Sequence, residues 1–202
     1  MDDFDSKVNK AIIRLSNYHL ILFCMLNCEK IFPGYKLFSK IKEWGNVLFF
    51  ESLMEDIFFQ LTSPNKEFNG KNLIEGLTEN FPNLNDFDGA IASYGFDAAC
   101  AFDELIAYIT TENSNHVKEN SQICLNTVDM FIQQKENIQY VDDIASLEIF
   151  IAQDELMKKE KRRQLTLLNE LELVDSFDIN TVTAMRKLND SFGELVNYQL
   201  MQ

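Results

Sequence analysis

Proline and glycine are scarce, at 3 and 7 of 202 residues. A β-sandwich or barrel needs a turn about every eight to twelve residues, so this chain is not built that way. Basic residues are short as well: 18 Lys and Arg against 32 Asp and Glu, for a net charge of −14. Phosphate contacts need clustered Lys and Arg, which excludes a nucleic-acid binder. No long apolar run is present. The longest stretch without a charged residue near the N-terminus is Leu15 to Cys28, 14 residues that include Ser16, Asn17, His19 and Asn27. A membrane span needs about 20 mostly apolar residues, so this stretch reads as a core helix. The opening Met1-Asp2-Asp3-Phe4-Asp5 is the reverse of a secretory leader, and a cytoplasmic location is expected. In that compartment Cys24, Cys28, Cys100 and Cys124 read as buried thiols.

What is present is apolar residues at helical spacing. Hydrophobic residues make up 46%, with 17 Phe, enough for a full core in one domain of this length. The expected architecture is all-α: a single domain over 1–202, a bundle of seven to nine helices. Ser6 is expected to cap a first helix running to Phe32 and ended by Pro33-Gly34. Tyr35 to Trp44 follows as a short helix, stopped at Gly45. Asn46 caps Val47 to Leu61, with Leu48, Phe49, Leu53, Ile57 and Phe58 inward. Ser63-Pro64-Asn65 is a loop, Asn72 to Asn80 a short helix, and Asn83 to Gly95 an irregular exposed stretch. Helices are then expected over 96–111, from Ser114 to Glu136, from Asp142 or Asp143 to Leu173, and from Asp178 or Asn180 to Phe192-Gly193.

Catalytic motifs are missing. There is no G-x-S-x-G, H-E-x-x-H, P-loop or G-x-G-x-x-G. The chain has two histidines. His19 lies on the apolar side of the first helix and reads as a hydrogen-bonded residue near the core; His116 reads as solvated. Cys24 and Cys28 share a helical face, but no further ligands at metal-site spacing join them, so they read as packing. No catalytic residue, metal or cofactor is assigned.

Charge is distributed unevenly. Residues 72–117 hold eight acids and no base; residues 136–157 hold six acids and no base. The run Lys158-Lys159-Glu160-Lys161-Arg162-Arg163 sums to +4 and reads as a solvated helix face, or as an internal partner for the acidic helices. Asp97, Ala101, Glu104 and Tyr108 fall on one helical stripe, and Ala98, Phe102, Leu105 and Ile109 on another. If the second stripe takes the core, Asp97, Glu104 and Tyr108 project together. With Asp86 and Asp88 they form the candidate partner-binding surface.

Three segments resemble a known family. They are Leu15-Ser16-Asn17-Tyr18 followed by Cys28-Glu29-Lys30-Ile31-Phe32-Pro33-Gly34-Tyr35-Lys36-Leu37-Phe38; Asp97-Ala98 with Ala101 and Glu104-Leu105; and Ser121 with Thr127-Val128. In that order and spacing they resemble the YjaG-type family of small helical bacterial proteins of unknown function. Gly45-Asn46 and the ending Glu194-Leu195-Val196-Asn197-Tyr198 depart from its pattern. The resemblance implies an all-α fold and a cytoplasmic location, and carries no catalytic residues with it.

The functional expectation is an immunity protein: an antitoxin that neutralises a cognate toxin domain, a nuclease above all, through its acidic surface. Nuclease clefts are basic, and an exposed acidic surface competes for them and speeds encounter. The alternative is a housekeeping regulatory or binding protein of the same family, with no toxin partner.

Overall fold

The computed structural model describes residues 3–63, 68, 70–138 and 144–201. They form nine α-helices and a closing 3-10 turn, with no strand among them. The all-α bundle of seven to nine helices is what the structure shows. Pro64, Asn65, Asp142 and Asp143, where a loop and a helix start were expected, lie outside the described residues. Among the described residues no helix is long and apolar enough to cross a membrane.

α1 (Asp3–Arg14) buries Phe4, Val8, Ala11 and Ile12. It ends before Ser16, whose extended backbone opens α2 (Asn17–Lys42). The expected single helix from Ser6 to Phe32 is thus two helices, and Ser6 is interior to the first. Ile13, beside the buried Ile12, is 84% exposed.

α2 runs straight through Pro33-Gly34. Pro33 sits on the exposed face, so water can hydrate the Glu29 carbonyl that loses its N–H donor. Gly34 is there for contact: a Cβ on it would lie 3.1 Å from the Tyr198 ring and 3.2 Å from the Tyr94 carbonyl. α2 is buried on most sides, as befits the central helix of a bundle. The separate helix expected over 35–44 is its last turns.

Asn46 caps α3 (Val47–Thr62), accepting from Phe49 N–H at 3.1 Å. Leu48 faces out and Phe50 in, so the inward face is Phe50, Leu53, Ile57, Phe58 and Leu61. α4 (Gly70–Glu79) leads to α5 (Ala90–Thr111). α5 begins six residues earlier than expected, and Gly95 is inside it. A Cβ at Gly95 would lie 2.5 Å from Phe38 Cγ: the glycine lets α5 close on α2. Ala98, Ala99 and Ala101 continue that contact, and the Cys28 thiol donates to the Ala101 carbonyl at 3.2 Å.

α6 (Ser114–Lys135) covers the other side of α5, capped by Asn113, one residue before the expected Ser114. The long helix expected from 142 to 173 is α7 (Ile144–Gln153) and α8 (Glu155–Leu171). Asp154 separates them; its carboxylate accepts from Leu156 N–H at 2.7 Å and starts a new helix. Asp178 caps α9 (Ile179–Ser191) through Thr181 N–H at 2.8 Å. One apolar core draws on all nine helices.

Candidate functional site

α5 is buried on both of its predicted stripes. Tyr108 is 2% exposed, and its hydroxyl donates to Asn17 Oδ1 at 3.0 Å. Glu104 is half-buried and pairs with His116, Oε2 to Nδ1 at 2.7 Å. Asp97 is half-buried against α6, accepting from the Thr127 hydroxyl at 2.8 Å. The shared outward stripe of Asp97, Glu104 and Tyr108 is therefore corrected: α5 lies between α2 and α6, and neither of the two predicted stripes is free. His116, expected to be solvated, is corrected with them. Asp86 and Asp88 are exposed, as expected, on the turn before α5, and Glu75, Glu79, Asp103 and Glu112 are exposed beside them in sequence.

Burial lifts the Asp97 carboxyl to about 6, against the lowering pull of Thr127. A carboxyl raised on folding binds more protons folded than unfolded between about pH 4 and 6. Stability therefore falls as pH rises through that window, and the cost is fully present above it. Asp97→Asn keeps the Thr127 contact and removes the charge. Thermal melts should show it more stable than the parent at pH 7.5, by about 1 to 2 kcal/mol after allowing for partial exposure. The two should coincide near pH 3.5. A destabilised variant at pH 7.5 would overturn the assignment.

The largest polar feature lies deeper. Arg163 and Glu160 on α8 are 1% and 3% exposed. Arg163 Nε donates to Glu160 Oε2 at 2.7 Å and Nη2 to Oε1 at 2.5 Å. The same guanidinium reaches Asn189 Oδ1 and Asn27 Oδ1, each at 2.8 Å. Gln164 donates to Glu160 at 2.7 Å and accepts from the Ser121 hydroxyl. Asn27 donates to Asn120 at 3.0 Å, and Asn120 to the Ala101 carbonyl at 2.8 Å. Burial works against the Arg163 charge, and the Glu160 carboxylate outweighs it. Each guanidinium nitrogen has a protein acceptor, so this network orients α2, α8 and α9 on one another. Beside it, Lys30 and Lys159 donate to the carbonyls of Gly193 and Glu194, at 2.8 and 2.9 Å, clasping the C-terminal segment.

Reading the basic run as a solvated face misses this centre. The signal was available: Glu160 and Gln164 stand at core positions between Met157, Leu167 and Leu171. A charged pair at core spacing is a buried pair.

Two further groups bear on chemistry. The thiols of Cys24, Cys28 and Cys124 are free and buried, Cys100 is free and half-buried, and burial raises all four. They are poor nucleophiles. Ser16 Oγ lies 2.6 Å from His19 Nδ1, and His19 Nε2 lies 2.8 Å from the Val174 carbonyl. That carbonyl can only accept, so Nε2 carries the proton and Ser16 donates to Nδ1. His19 is half-buried, with Phe177 edge-on at 4.8 Å. The pair joins α2 to the segment after α8. Among the described residues no three His, Cys, Asp or Glu side chains are grouped to hold a metal ion.

Fold and polar core together define an all-helical protein organised around a buried arginine–glutamate pair. The chain belongs to the family described as protein of unknown function (DUF416), whose model matches residues 7–194. It is 25% identical over 137 residues to the uncharacterized protein YjaG of Salmonella typhimurium, covering 67% of this chain and 70% of that protein. It is 26% identical over 124 residues to YjaG of Escherichia coli, covering 61% and 63%. An uncharacterized protein of Haemophilus influenzae is 25% identical over 128 residues. Among solved structures, a DUF416 family protein from Shewanella baltica superposes with a TM-score of 0.82 at 25% identity, covering 98% of both chains.

Proposed function

We propose that this chain is a protein-binding module that captures a basic partner, in its most concrete form an immunity protein masking the phosphate-binding cleft of a nuclease toxin. The observation that supports it is the exposed acid between residues 72 and 117. Glu75, Glu79, Asp86, Asp88, Asp103 and Glu112 reach solvent there with no Lys or Arg in the same stretch. Exposed acid of this kind steers a basic partner. A second reading is a housekeeping regulatory or binding protein.

The two separate on one experiment. Toxin domains encoded beside the gene are purified and mixed with the protein in stopped flow. The immunity reading expects association that slows at least about tenfold between 50 and 500 mM salt, since the screening length shrinks from about 14 to about 4 Å over that range. Asp86→Lys with Asp88→Lys should slow it further at low salt. Association indifferent to salt, or no neighbouring toxin that binds, would leave the housekeeping reading.

A further inference from the structure

α7 carries Ile144, Leu147, Ile149, Phe150 and Ile151, yet only Ile151 is buried. Ile144, Ile149 and Phe150 are 68%, 58% and 45% exposed. Beside the helix lies a cleft of about 220 Å³, bounded by α1, α6, α7 and α8. Its floor is apolar: Leu125, Ile151 and Met157, all buried. Its rim carries Asp5, Asp129 and Glu148 against the single base Lys161, whose Nζ lies 5.6 Å from the Phe4 ring centroid. A second cleft of about 330 Å³ shares Asp5 and Gln122 with the first. Asn9 lines it, and Asn9 Oδ1 is buried with no hydrogen-bond partner. So apolar surface, carboxylates and an unsatisfied acceptor adjoin one another; of the carboxylates, Asp129 also accepts from Gln133 at 2.6 Å.

We propose that α7 and this cleft are the docking site for a basic amphipathic helix of the partner. The inference rests on the reading of the chain as a module that captures a basic protein. An Arg of the partner would lay its stem on Leu125, Ile151 and Met157 and present its guanidinium to Asp5, Asp129 and Glu148, as long basic side chains do where apolar surface meets acid. Apolar side chains one turn away would cover Ile144, which shares a helical face with Glu148 and Ile151, the spacing of helix-in-groove recognition. Charge selects this occupant. The segment 136–157 has no Lys or Arg, so a second copy of this chain, at −14, or an anionic membrane surface would meet like charge.

The test uses the full chain with labelled Ile, Leu and Met methyl groups. It is titrated with a synthetic 14-residue peptide of Leu and Arg at helical spacing, and with the same peptide bearing Glu for Arg. The expected result is saturable shifts at Leu125, Ile151 and Met157 with the Arg peptide alone. Asp129→Asn combined with Glu148→Gln should weaken binding at least about tenfold, and Ile144→Ser should weaken it too. Asp86→Asn with Asp88→Asn should leave it unchanged. Shifts confined to the turn before α5 and abolished by that last pair would overturn the α7 site and keep the binding-module reading. No binding of the Arg peptide at millimolar concentration would overturn both. Concentration-dependent shifts of the same methyls without peptide would show a second copy on α7 and overturn the proposed occupant. Equal binding of the Glu peptide would remove the electrostatic basis.

Discussion

Arg163→Met should lower the free energy of unfolding by about 3 to 5 kcal/mol, because it leaves the Glu160 carboxylate buried without its counter-charge. A domain of this kind is stable by only about 5 to 15 kcal/mol, so the single change brings it close to unfolding. Urea midpoints measure the loss. The companion is the double variant Glu160→Met, Arg163→Met, which removes both charges and fills the space with apolar chain. It should recover much of the stability, since replacing a buried ion pair by packed hydrophobes is often neutral or better. Recovery should stop short of complete, because Asn27, Gln164 and Asn189 lose partners as well. If the single variant loses less than about 1 kcal/mol, the range of an exposed ion pair, the pair is not the desolvated centre described here.

Gly95→Ala is the second change of large effect. Alanine is the better helix former by about 1 kcal/mol, and on an exposed helix it would stabilise. Here the new methyl would meet Phe38 at 2.5 Å from Cγ and 2.7 Å from Cβ. Phe38 is fully buried and held by Trp44 and Phe87, at 5.8 and 5.1 Å between ring centroids. A contact with Phe38 Cβ cannot be relieved by turning the ring, so α5 and α2 must separate. Overpacking of this kind costs about 1 to 3 kcal/mol, and the expected net change is a loss of about 2 kcal/mol in thermal melts. A rise in melting temperature would show that the two helices are free to part.

The helices that bear their own caps are legible from sequence. Asn46 and Asp178 each supply an oxygen three residues before a backbone N–H, and both act so in the structure. Ser6 does not, because Phe4 and Val8 on either side are already buried parts of α1. Pro33-Gly34 and Gly95 mislead for one reason. A local rule takes Pro and Gly as punctuation, and here tertiary contacts decide: Gly34 against Tyr198, Gly95 against Phe38. Those partners are distant in the chain and leave no local mark. The candidate site divides along the same line. The exposure of Asp86 and Asp88 follows from their turn, whereas the fates of Asp97, Glu104 and Tyr108 depend on α6 and α2 lying on both sides of α5.

The Arg163 guanidinium joins residues 27, 160 and 189, and Asn189 also donates to the Leu26 carbonyl at 2.9 Å. These positions enter the growing polypeptide far apart in time. While α8 has left the ribosome and α9 has not, the arginine and its glutamate must remain hydrated, and α2 cannot be sealed around them. The faces of α2, α3 and α8 that α9 covers then stay open to solvent until residues translated last arrive.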